Sequence, residues 1–244
     1  MFGETDALAK KLEGFLPTAT ERLLLAELAG SRRKVAAREE LGHDKLDEEK
    51  NANVAYILHR GWACVYKLMP DGNRQIVDFR LPGDFIGLVG LLLKKPDRHL
   101  ETMTESVISE ISVNRVLATF HKSSPLAEGL LWALSRDAAI MAEHIVNLGR
   151  RPALERTVHL LLELGFRLSQ IGLATPTAYE CPLTQKDLAD ALGITNVHLN
   201  RVLRTLRDDN LLAFNGHVVV LHNLQLLIRI SGFDPSYLLS AREK

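Results

Sequence analysis

Three arginines recur one helical turn apart at Arg201, Arg204 and Arg207, in a stretch that also carries Asn196, His198 and Asn200. A guanidinium matches guanine O6 and N7 bidentately, so arginines on one helical face suit recognition of a nucleic acid. Nothing comparable points to catalysis. The nine histidines include no HxH pair, and no GxSxG, Walker or GxGxxG motif is present. The acids are plentiful, but no pair of them is set up for acid/base work. The expectation is a binding protein, not an enzyme, with no cofactor and no metal.

The elements that must position those arginines can be read around them. Thr184 is a capping residue for a helix from Gln185, with Asp187 three residues on as a looser capping box. Leu188, Ala189 and Leu192 share one face, and Gly193 ends the helix. Ile194 fits the buried corner of a tight turn, and Thr195 caps a second helix whose inward stripe is Leu199, Val202, Leu203 and Leu206. Two short helices about a Gly turn form a helix-turn-helix, whose second helix enters the major groove. Asn215-Gly216 between the apolar runs Asn210–Phe214 and His217–Leu221 signals a hairpin. The unit reads as a winged helix, with Asn215, Gly216 and His217 at the wing tip. A helical hairpin in an ordinary core would gain nothing from three spaced arginines.

The 244 residues are enough for two ordinary domains, and 46% apolar content is that of a globular chain. Thirty basic and thirty acidic groups cancel, which argues against a bulk nucleic-acid coat but not against a local basic patch. Cys64 and Cys181 make no disulfide framework or zinc spacing, fitting a reducing cytoplasm. No long apolar run suggests a membrane span, and the N-terminus lacks a signal-peptide pattern.

Upstream, short helices are expected at 5–14 and 18–29, followed by many short strands. These are 31–38, 54–58, 62–68, 74–81, 99–104 and 107–113, with Pro70-Asp71-Gly72 and Leu81–Gly87 as turns and 39–53 as a loop. That pattern suggests a small β-sandwich or barrel. After a short helix at 114–121, Ser124-Pro125 opens a long one. Its apolar residues Ala127, Leu131, Leu134, Ala138, Met141, Ile145 and Leu148 are spaced 4, 3, 4, 3, 4 and 3. Such a seam favours a two-stranded coiled coil, hence a homodimer. Gly149 to Pro152 would be a hinge, 153–171 an amphipathic helix, and 173–182 a linker.

In this order the chain resembles the Crp/Fnr superfamily of bacterial transcription regulators. Tyr56–Gly61, Leu81-Pro-Gly-Asp-Phe-Ile-Gly87, the long helix, Leu183–Ala189 and Gly193–Arg201 carry the resemblance. Gly232–Tyr237 and Trp62–Cys64 look like an α-proteobacterial subgroup. The implied fold is α+β: a jelly-roll, cyclic-nucleotide-binding-like domain (1–122), a dimerisation helix (123–150) and a winged-helix domain (151–244). The resemblance implies a homodimer on a two-fold symmetric DNA site, activating or repressing through RNA polymerase. Arg201 falls where the family has its guanine-pairing arginine. Asn196, Val197 and His198 depart from the commonest pattern, and Val197 can meet a thymine methyl but cannot accept from cytosine N4. Thr195 and Asn200 complete that surface, while Thr184, Gln185, Lys186 and Arg204 are candidate phosphate contacts.

The sensory half departs further. Leu88 stands where the cyclic-AMP branch has a ribose-binding Glu, and His99 where it has a Ser beside the surviving Arg98. Cyclic AMP is therefore not the expected ligand; Arg98 and His99 remain candidate contacts for another effector. No cysteine precedes Cys64, which leaves no iron–sulfur set. Among His59, His99, His121 and His144 nothing singles out a haem ligand. Cys181, expected near the surface, is a candidate redox site. Two other classes compete: a dimerisation or ligand-binding module without sequence-specific DNA binding, and a cupin-like metalloenzyme.

Overall fold

The computed structural model describes residues 6–42, 54–93 and 99–242. The chain divides into two compact units: Met1–Lys67 with Phe79–Ala138 and Ser240–Lys244, and Leu68–Asp78 with Ala139–Leu239.

Among the described residues the first unit holds a short helix α1 (Ala7–Lys11), helix α2 (Ala19–Ala29) capped by Thr18, and seven strands, with the last two residues of an eighth, whose start at Arg74–Asp78 belongs to the second unit. The strands are β1 (Arg32–Val35), β2 (Glu40–Leu41), β3 (Val54–Arg60), β4 (Ala63–Leu68), β5 (Arg74–Arg80), β6 (Phe85–Ile86), β7 (His99–Thr102) and β8 (Ser106–Ser112). They form two antiparallel sheets, ordered β1-β8-β3-β6 and β2-β7-β4-β5. This is the antiparallel sandwich expected from the strand pattern. The strand β2 falls in a segment read as a loop, its two residues being too few to show a period. The rest of that segment, 43–53, lies outside the described residues, as does Arg98.

Strand β3 shows how the unit is layered. Tyr56 and Leu58 join Val35, Leu41, Val65 and Ile108 in the core between the sheets. Ala55 and Ile57, pointing the other way, pack with Leu8, Leu12, Leu25 and Phe85 under the helices. Both faces are covered, so the strand is an unbroken apolar run from Val54 to Leu58 rather than alternating. The Leu81–Gly87 turn is locked by Asp84, whose carboxylate accepts from the Leu81 amide at 2.8 Å, from Lys11 Nζ at 2.7 Å, and from Arg136. Helix α3 (Val113–Lys122) closes the unit, capped by Ser112.

Helix α4 runs unbroken from Ser124 to Arg150. Gly149 is helical, so the helix break expected over Gly149–Pro152 falls at Arg151 and Pro152, where proline's missing N–H ends the ladder. Of the residues of the heptad pattern, Ala127 is buried within its own chain. Leu131, Ala138, Ile145 and Leu148 are exposed, and Leu134 and Met141 half-buried.

The second unit is built on helix α5 (Ala153–Ser169). Its sequence reads as amphipathic, yet Thr157, His159, Glu163 and Arg167 are all buried along with the leucines. Thr157 Oγ1 donates to Ala153 O at 2.6 Å, His159 Nδ1 meets Asn147 Nδ2 at 3.1 Å, and Glu163 accepts from Arg167 at 3.2 Å. Around it lie α6 (Gln185–Leu192), α7 (Asn196–Asp208), α8 (Leu224–Ser231) and a sheet ordered β10-β11-β9. Here β9 is Ala178–Glu180, β10 Leu212–Asn215 and β11 Val218–Leu221. Strand β9 lies inside the expected linker; three residues flanked by prolines carry no readable period. It packs on α5 because Gly165 has no side chain: a Cβ there would sit 2.8 Å from the Tyr179 ring, whose hydroxyl donates to Leu161 O at 2.7 Å.

Candidate nucleic-acid interface

Helix α6 is held at its start by a complete capping box, tighter than the sequence suggested. The Asp187 amide donates to Thr184 Oγ1 at 3.2 Å, and the Thr184 amide to Asp187 Oδ2 at 2.8 Å. Gly193 takes the left-handed conformation at φ 61°, which leaves room for the turn into α7. Thr195 caps α7, accepting from the His198 amide at 3.2 Å. Leu199, Val202, Leu203 and Leu206 are buried, as their spacing required.

The opposite face of α7 is open to solvent. Thr195, Asn196, Val197, His198, Asn200, Arg201 and Arg204 are all exposed, as are Thr184 and Lys186 on α6; Gln185 is half-buried. Asn200 Nδ2 donates to Asn196 O at 3.1 Å. Two grooves flank the helix. One, of about 400 Å³, lies against β10 and is lined by Arg201, Arg204, Arg207, Gln185, Phe214 and Asn215 among others. The second, of about 410 Å³, runs toward Leu154 and takes in Thr195, His198 and Arg201. Val197 and Arg201 border both, so they form the crest.

The wing is present with its turn one residue later than expected. Asn215 pairs with Val218 in the ladder, so the two-residue loop is Gly216-His217. Both have positive φ, 57° and 62°, as a type I′ hairpin requires. The Cys181 amide donates to His217 O at 2.7 Å, tying the entry of the helix-turn-helix to the wing. Cys181 itself is buried, and burial pushes its thiol up to about 12. Its expected exposure is thus corrected: the residue closes a core, and little thiolate is available for oxidation.

Behind the interface a charged network braces α5. Glu163 receives Tyr237 Oη at 2.8 Å, Arg167 Nη1 at 3.2 Å and His144 Nε2 at 3.2 Å. Arg167 Nη1 also reaches Asp78 Oδ1 at 3.2 Å, and His144 Nδ1 reaches Val77 O at 3.0 Å. Both ring nitrogens of His144 face acceptors, so only the doubly protonated ring satisfies both. Asp78, His144 and Glu163 are close enough to share an ion. An imidazolium cannot ligate a metal, however, and Arg167 already supplies the positive charge there. Arg74, at the start of β5, adds a second brace: Nη2 donates to Asp187 at 2.7 Å and Nε to Asp190 at 2.9 Å. Neither brace was anticipated, since the partners are far apart in sequence.

Known proteins share this architecture. Residues 155–230 match the Crp-like helix-turn-helix domain, and residues 46–123 the cyclic nucleotide-binding domain. The nitrogen fixation regulation protein FixK of Bradyrhizobium diazoefficiens is 31% identical over 200 residues, covering 80% of this chain and 76% of that one. This chain belongs to the Crp/Fnr superfamily of transcription regulators. Its relatives include the transcriptional activatory protein AadR of Rhodopseudomonas palustris, 28% identical over 169 residues and 68% of each chain. The solved structure of FixK2 from Bradyrhizobium japonicum superposes with a TM-score of 0.69 at 27% identity, covering 82% of this chain and 96% of that one. The regulator is thus of the α-proteobacterial Crp/Fnr type and binds DNA through its helix-turn-helix. Among the described residues no helix is long and apolar enough to cross a membrane.

Proposed function

We propose that this regulator acts in the cytoplasm as a homodimer on a two-fold symmetric operator, with one α7 per half-site in the major groove, and that it controls transcription through RNA polymerase rather than by any enzymatic activity. The observation that carries the reading is Arg201. It stands on the crest between two grooves, exposed, with no acceptor for its guanidinium among the described residues. An arginine held up in this way suits bidentate pairing with guanine. Thr195, Asn196, Val197, His198 and Asn200 meet the same DNA major groove in this reading; Thr184, Gln185, Lys186 and Arg204 meet phosphates, as do the wing residues Asn215, Gly216 and His217.

The apolar seam supports the dimer. Leu131 is 52% exposed and Ile145 70% exposed in the single chain, a cost that a partner helix would remove. Cyclic AMP is not the signal in this reading, because Leu88 is buried and offers a ribose no acceptor. His99 is engaged by Glu40, Nδ1 to Oε1 at 2.6 Å, and by stacking on Tyr66. Selection from random duplexes by the purified protein without added ligand tests the function. A palindromic winner with half-sites about one helical turn apart supports it; sequence-blind binding contradicts it.

A further inference from the structure

Arg201, Arg204 and Arg207 do not form a straight row. At 3.6 residues per turn, each step of three residues falls about 60° short of a full turn. The arginines therefore wind around α7 as they climb. The grooves record this: Arg201 borders both, whereas Arg204 and Arg207 border only the one beside β10. The first arginine stays on the crest that meets bases, and the other two turn away from it toward the wing. Over these six residues the helix rises about 9 Å. That length passes more than one phosphate on a strand whose charges recur every ~3.4 Å of axis.

The chemistry of the groove suits a polyanion. Arg204 has no carboxylate partner among the described residues. Among the described residues Arg207 pairs with its neighbour Asp208 alone, through Nε at 3.6 Å, and both side chains are more than half exposed. Its two terminal nitrogens, the pair that grips a phosphate bidentately, have no protein acceptor among the described residues. Phe214 and Asn215 wall the far side of the groove. We propose that this groove is a backbone track for the DNA strand leaving the base-reading site, with Arg207 binding a phosphate beyond those met by Arg204. The claim rests on the DNA-binding reading and adds a contact that lengthens the footprint without adding sequence preference.

The test compares wild type with Arg207→Gln on the selected operator and on an unrelated duplex, across a salt series. Wild-type binding to the operator checks the underlying reading separately, and circular dichroism checks that the variant folds. The expected result is a salt slope shallower by about 0.9 per protomer, roughly 1.8 per dimer. Affinity should fall by the same factor on both duplexes, with the ranking of single-base operator variants unchanged. An unchanged slope would overturn the assignment. So would a loss of preference at one base pair, which would make Arg207 a base contact.

Discussion

Arg74 Nη2 lies 2.7 Å from Asp187 Oδ1, across 113 positions of sequence. Asp187 is also the carboxylate of the capping box, so one buried side chain both starts α6 and receives the Arg74 guanidinium. Gln75 adds a bond to Ala191 O at 3.1 Å, so the start of β5 grips both ends of the helix. Removing Arg74 takes a guanidinium at 2.7 Å away from the Asp187 carboxylate, whose side chain is 2% exposed. Arg74→Ala should cost about 1–3 kcal/mol in a urea titration. It should weaken operator binding with no change of salt slope, because Arg74 positions α6 rather than touching DNA. Arg74→Lys, which keeps one bond at most, should fall between. Wild-type affinity in Arg74→Ala would show that α6 holds its place without the brace.

The α5 network makes stability depend on pH in two directions. Burial opposes charge on His144, but the Glu163 carboxylate beside it wins and raises the ring from 6.5 to about 9. The folded state then holds the proton more tightly than the unfolded one. The stabilisation is whole below about 6.5 and is lost as pH rises through about 9. His159 goes the other way: burial, then Arg151, hold it down to about 4. The unfolded chain gains that proton first, so stability falls as pH drops from 6.5 toward 4. Urea midpoints across this range should decline on both sides of neutrality. His144→Gln should flatten the alkaline limb, and His159→Gln the acid limb. An alkaline limb unchanged by His144→Gln would contradict the pairing with Glu163.

The helix-turn-helix was readable from sequence because its signals are local. Thr184, Asp187, Gly193 and Thr195 act within four residues of themselves, and the stripe Leu199–Leu206 repeats within one helix. What could not be read is non-local. Glu163 and Arg167 look like a solvent face until Asp78, His144 and Tyr237 are brought beside them by the fold. The wing turn slid by one residue because ladder pairing of Asn215 with Val218 outweighed the Asn-Gly preference. Arg207 was visible as a charge on the outward face, but only the position of β10 shows which groove it enters.

Cys181 should be inert in the folded protein. Its thiol is buried and pushed up to about 12, and Cys64 is buried as well. A thiol-reactive dye should label neither residue until denaturant is added, and brief peroxide treatment should leave DNA binding intact. Rapid labelling of one thiol per chain, abolished by Cys181→Ser, would reverse this.

The seam predicts the assembly. Ile145→Glu places a charge on the most exposed of the large apolar residues of the seam. Sedimentation should change from dimer to monomer, and operator affinity should collapse as the second half-site contact is lost. The single-chain fold should be retained, since Ile145 contributes little to its own core. A dimer unaffected by Ile145→Glu would remove the seam from the interface.

The most direct measurement is the affinity of Arg201→Ala for the operator selected by wild type, set against operators carrying each base change in the half-site. If α7 reads bases through Arg201, the variant loses about 1–3 kcal/mol per base contact and no longer distinguishes guanine from other bases at one position per half-site. If Arg201→Ala binds with wild-type affinity and discrimination, α7 does not dock by this face and the account of the interface is wrong.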